Sequence, residues 1–107
     1  MFTHADIDRR IHNLVEACVL KIDKDPALLG RAHEQLKRWT NVPLRRQWEG
    51  LLGLPWPELR ALLLDVSENG NRLRQSVPFG GFLDDEERMR IIRSSQQGGS
   101  SNSAVAP

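Results

Sequence analysis

The stretch at 51–66, LLGLPWPELRALLLDV, sets seven leucines, a tryptophan and a valine within sixteen residues. A leucine contributes roughly 1.5–3 kcal/mol when fully covered, so this segment must be buried and the rest of the chain must cover it. Gly53-Leu54-Pro55 ends a preceding helix, because the residue before a proline is pushed out of the helical region. Trp56-Pro57 then opens a new one. In it Leu59, Leu62, Leu63 and Val66 recur on one face, with Arg60, Asp65 and Ser67 outside it. Leu64 falls off that stripe. A leucine there means either a central helix buried on two sides or an apolar spot presented to a partner.

The covering elements read as helices too. From Thr3 to Ile22 the residues Ile7, Ile11, Leu14, Cys18 and Ile22 recur at helical spacing, with Val15 and Val19 widening the stripe. Thr3 is the expected cap, and Phe2 and Ile7 occupy the positions of a hydrophobic staple. Asp25-Pro26 starts a second helix, the aspartate capping and the proline in the first turn, with Leu29, Ala32, Leu36 and Trp39 as its seam. After the short connection 40–43 a third helix is expected to turn Leu44, Trp48, Leu51 and Leu52 inward. Glu68-Asn69-Gly70-Asn71 reads as a helix end, followed by a further short turn around Leu73. The loop Val77-Pro78-Phe79-Gly80-Gly81-Phe82 places two glycines between phenylalanines and so permits positive φ. In the last helix Asp84, Asp85, Glu86 and Glu87 stand at the N-terminus ahead of Arg88, Arg90 and Arg93, which suits the helix dipole. Asp84 with Arg88 and Glu86 with Arg90 are each four apart.

The expected fold is therefore all-α: a compact bundle of about five short helices in one domain, 1–93. The remainder, 94–107, is rich in serine and glycine and is expected to be a disordered tail.

Chemistry-bearing residues are sparse. Cys18 is the single cysteine, which leaves no multi-cysteine metal site and no internal disulfide, and its place in the apolar stripe makes it a small core residue. His4, Asp8, His12 and Glu16 are spaced by four, yet each such step drifts about 40° around a helix, so the four cannot converge on one ion. A solvated face with His12 and Glu16 weakly paired is the expected arrangement. His33-Glu34 begins like a zinc-protease HExxH motif, but Lys37 stands where the second histidine is required. No metal site, cofactor or catalytic group is assigned on these grounds, and the chain is not expected to be an enzyme.

Fifteen basic residues stand against fourteen acidic ones, a balance that argues against a general polyanion binder. The N-terminus MFTHADIDRR lacks the apolar core of a leader, and no later run approaches the ~18 apolar residues of a membrane span. A cytoplasmic protein without membrane contact is expected. The favoured reading is a small non-catalytic helical module for protein interaction or regulation, an adaptor, inhibitor or subunit, binding another protein or a second copy of itself. Its candidate contact residues are Trp56, Leu64, Phe79 and Phe82, because large aromatic and apolar groups dominate interface energetics. The alternative is a helix-turn-helix-like nucleic-acid binder using the basic segment 31–46, with Arg31, Lys37, Arg38, Arg45 and Arg46. Arg45 and Arg46 fall at a helix N-terminus, where cations are disfavoured by about 0.3–1 kcal/mol. A weaker anion-binding candidate combines Arg72 and Arg74 with the backbone of Gly80 and Gly81.

Overall fold

The leucine-rich stretch becomes a short helix flanked by three others. The structure, a computed structural model, describes the backbone of residues 4–105 and the side chains of residues 5–95. In chain order its helices are α1 (His4–Lys24), α2 (Leu28–Leu36), α3 (Val42–Leu52), α4 (Trp56–Leu64), α5 (Glu68–Arg74) and α6 (Asp85–Val105). No strand occurs among the described residues. The all-α bundle is found with six helices rather than about five, because α5 is a full element where only a short turn was expected. α4 packs on α1, α3 and α5, while α1 also packs on α2, α5 and α6.

The core follows from the apolar stripes. Val15, Cys18, Val19 and Ile22 from α1 meet Ala32 and Leu36 from α2, Trp48 and Leu52 from α3, and Leu59 and Leu63 from α4. Phe79 and Phe82 close one end, their rings stacked with centroids 5.1 Å apart. Their loop is shaped by Gly81, at φ 80°, and is tied to α2 by Gln35, which accepts from Gly80 N–H at 3.0 Å and donates to Gly80 C=O. The expected Thr3 cap and Phe2–Ile7 staple lie outside the described residues, as does the His4 side chain. The expected tail, 94–107, includes Ser94 and Ser95 of α6. From residue 96 onward its side chains lie outside the described residues.

Helix starts largely obey the local signals. Asp25 acts slightly earlier than expected: its Oδ1 accepts from Ala27 N–H at 3.3 Å, and Pro26 and Ala27 form a turn before α2 begins. Asn41 caps α3, accepting from Leu44 N–H at 3.1 Å, with Pro43 in the first turn. Asp84 and Glu87 form a reciprocal capping box on α6, at 2.7 and 3.2 Å. Asp84 is thereby spent on the backbone, and Arg88 pairs with Asp85 at 2.6 Å instead of with Asp84. Lys21 locks this start to α1, donating to Glu87 at 2.6 Å and to Phe82 C=O at 3.0 Å.

The largest departure lies between α4 and α5. α4 ends at Leu64, so Val66 leaves the expected apolar face and is 80% exposed. The segment read as a helix end is a helix start: Ser67 is extended and its hydroxyl accepts from Gly70 N–H at 3.4 Å, while Asp65 Oδ1 accepts from Ser67 N–H at 2.9 Å. Local side-chain bonds of this kind compete with helix continuation, and here they win over the leucine periodicity. Gly70 permits the tight return, since a Cβ at that position would lie 1.9 Å from the Asp65 carbonyl oxygen. Beneath the junction Arg74, only 2% exposed, donates to Leu63 C=O at 3.0 Å, to Asp65 C=O and to Asn71 Oδ1. Its cation thus satisfies carbonyls at the α4 C-terminus, the favourable end of the helix dipole.

Candidate functional site

α3 and α5 flank α4 without approaching each other closely. At one end the gap is closed by Trp48, a fully buried indole that donates to Ser76 Oγ at 3.1 Å. Beside that bond a recess of about 510 Å³ opens. Leu44, Gln47 and Leu51 form its α3 wall, Asn69, Arg72 and Leu73 its α5 wall, and Leu62 of α4 lies between them. A second recess of about 410 Å³ continues past Leu44 and Ser76 to Trp39, Val77 and Arg38. Leu44 and Ser76 line both recesses, which together are called the groove.

Its walls are preorganised. Trp39, Leu44, Leu51, Leu73 and Val77 are half-buried and packed against the core, so one side of each is held while the other faces the groove. Leu62 is 37% exposed and stands outside the core. Arg38 and Arg72 are among the lining residues and no Asp or Glu is, although Arg72 also borders a neighbouring recess with Asp8 and Glu68, its guanidinium 4.0 Å from Glu68.

The residues singled out from sequence are distributed differently. Trp56 is half-buried and donates from its indole to Asp23 at 2.7 Å. Arg60 grips the same carboxylate at 3.0 Å, and these two donors hold Asp23 below the usual carboxylate range. Leu64 is half-buried against the core, and its carbonyl lies 3.3 Å from His12 Nε2. His12 therefore faces α4, rather than the expected pairing with Glu16. Phe79 and Phe82 are core residues, each 5% exposed. None of these four lines the groove.

The basic segment 31–46 is divided among several contacts. Arg31 lies over the Phe82 ring at 5.6 Å, Lys37 pairs with Glu34 at 3.0 Å, and Arg45 donates to Trp39 C=O at 3.4 Å. The last contact explains the cation at the start of α3: Arg45 reaches back to the carbonyl just beyond the end of α2, where a positive charge is favoured. Arg46 is exposed on α3, and of the five only Arg38 enters the groove. The anion candidates are likewise separated in role. Arg74 is committed to the α4–α5 junction, Gly80 to Gln35, and Arg72 lies 4.0 Å from Glu68 at the rim of the groove. Gly81 supplies the positive-φ turn, with the Arg31 guanidinium 3.9 Å from where its Cβ would stand.

Burial pushes the Cys18 thiol up to about 11, so the nucleophilic thiolate is strongly disfavoured at neutral pH. Among the described residues no group of three or more His, Cys, Asp or Glu side chains is placed to hold a metal. No described helix is long and apolar enough to cross a membrane. No family model, curated protein or solved structure gave a match to this chain.

The groove leucines were legible as apolar but not as open. Around α3, at 100° per residue, Trp48 and Leu52 mark the buried centre, and Leu44 and Leu51 lie roughly 60–80° to one side of it. A stripe that wide on an eleven-residue helix is the sequence signal for a second apolar contact.

Proposed function

We propose that this chain is a small non-catalytic protein-interaction module, of the adaptor, inhibitor or subunit type, and that it binds through the groove between α3 and α5. The observation that carries this reading is the leucine-lined recess whose walls are rooted in the core. A preorganised apolar surface loses little conformational freedom on binding, and so more of its burial free energy appears as affinity. A non-catalytic role is supported by the state of the reactive groups: Cys18 is buried with a raised pKa, and His12 faces the end of α4. The dispersal of the basic segment favours this reading over nucleic-acid recognition, which needs cations gathered along one face.

The test is recovery of a partner from a lysate of the source organism by immobilised chain, compared with Leu62→Glu and with Leu20→Glu. Leu20 is 49% exposed on α1 and lies outside the groove lining. A partner retained by wild type and by Leu20→Glu but lost by Leu62→Glu, at equal thermal stability, supports the groove. Binding that survives Leu62→Glu, or loss with both variants alike, counts against it.

A further inference from the structure

Resting on that reading of the groove, we infer that its occupant is an amphipathic helix of another protein, with an apolar stripe flanked by carboxylates. Leu44 and Leu51 stand seven residues apart on α3, about two turns or 10.5 Å. A docked helix with anchors at i, i+4 and i+7 has the same reach. Other common modes fit less well. Strand addition requires an open sheet edge, and the described residues contain no strand. Polyproline ligands use aromatic-lined grooves, whereas Trp39 is the single aromatic side chain in this lining.

The charge of the partner follows from the rim. Arg38 lies in one recess and Arg72 in the other, on either side of the shared Leu44 and Ser76, with no lining carboxylate. Arg72 is only loosely engaged, 4.0 Å from Glu68, with side chains 76% and 90% exposed. Such a pair contributes little and is readily exchanged for another carboxylate. Acidic residues beside the partner's apolar stripe meet Arg38 directly and Arg72 by exchange with Glu68, and basic ones are repelled.

A decisive experiment displays a library of 18-residue helical peptides against the full chain. Leu, Ile, Val, Phe and Met are allowed at i, i+4 and i+7, and Glu, Lys, Gln and Ala at the flanking positions. Enrichment of Glu at the flanks is expected. The selected peptides should lose affinity by at least about tenfold against Leu62→Glu. The double variant Arg38→Glu with Arg72→Glu, which alters only exposed side chains, should reverse the preference from Glu to Lys. Peptides that need Leu62 but show no flank charge preference, or that ignore the charge reversal, overturn the acidic-helix inference and leave the groove reading standing. No enrichment overturns the helix inference and leaves the groove reading to the comparison with Leu62→Glu above, whereas binding indifferent to Leu62→Glu removes both. Sedimentation of the chain alone covers the remaining occupant, because α6 offers exposed Met89 beside Asp85 and Glu86 to a second copy. Self-association abolished by Leu62→Glu would identify that copy as the occupant and overturn the inference.

Discussion

Gly70→Ala should be among the most damaging small substitutions in this chain. A methyl group there would stand 1.9 Å from the Asp65 carbonyl oxygen and 2.7 Å from its carbon. Relieving the first contact to 3.0 Å needs about 1.1 Å of movement between two stretches of backbone. Overpacking of this kind typically costs about 1–3 kcal/mol. The movement also draws the Asp65 carbonyl away from the buried Arg74 guanidinium, and a hydrogen bond to a charged group contributes about 1.5–3 kcal/mol. Alanine returns up to about 1 kcal/mol in helix propensity. The net expectation is a loss of about 2–4 kcal/mol, which for a chain of this size lowers the melting temperature by roughly 10–20 °C. Gly30→Ala and Gly50→Ala are the controls. Both glycines lie inside helices with nothing within 4 Å of the added Cβ, so each should stabilise by about 0.4–1 kcal/mol. Urea and thermal unfolding followed by circular dichroism at 222 nm measure all three. A Gly70→Ala protein as stable as its parent, beside the expected gains at 30 and 50, would refute the close α4–α5 junction.

Asp23, Asp65 and Glu87 are all held below the usual carboxylate range, chiefly by Arg60, by the backbone of Ser67 and by Lys21 respectively. Each is more acidic folded than unfolded, so the unfolded state binds more protons, and stability falls as pH drops below about 4 toward the folded-state values. Arg60→Met should flatten that fall in a series of urea titrations from pH 7 to 2.5, whereas an unchanged slope would deny Asp23 its part. Cys18 should resist a thiol-specific aromatic disulfide at pH 8 until urea unfolds the chain; fast labelling of native protein would contradict its burial and raised pKa. Arg45→Ala should cost about 0.3–1 kcal/mol through loss of the contact at the end of α2, and an Arg45→Ala chain that gained stability would mean that its place at the start of α3 dominates.

The fold was legible where one signal acted alone. The stripe of α1, the prolines at the starts of α3 and α4, and the acidic run 84–87 at the start of α6 each correspond to a single local cause, and the structure follows them. The α4–α5 junction was not legible because two signals conflicted. Leucine spacing ran on to Val66, while Asp65, Ser67 and Gly70 formed a local turn whose value depends on Arg74 arriving from nine residues beyond Asp65. Periodicity carries no information about that closure. Asn69 and Gly70 resemble a C-cap in composition, and only the hydroxyl of Ser67, accepting from Gly70, reveals a start.

The groove depends on the same junction. Leu59, Leu63 and Trp56 set the inward face of α4, and Leu62 and Leu64 lie about 100° to either side of it at 100° per residue. Sequence therefore presents the two leucines as near-equivalent flanks, and Leu64 stands off the stripe only because Val66 extends it on the side of Leu62. Once α4 stops at Leu64, Val66 no longer belongs to the helix and the symmetry is decided by what covers each flank. α1 lies at the Leu64 end, marked by His12 against its carbonyl, and Leu64 packs on the core. The Leu62 flank faces the space between α3 and α5, which Trp48 and Ser76 close at one end only. An early helix stop, held by Ser67 and Gly70, thus determines which leucine packs against the core and which stays exposed. Gly70→Ala and Leu62→Glu should consequently differ in kind: the first weakens the fold and the groove together, whereas the second leaves stability intact and removes only binding.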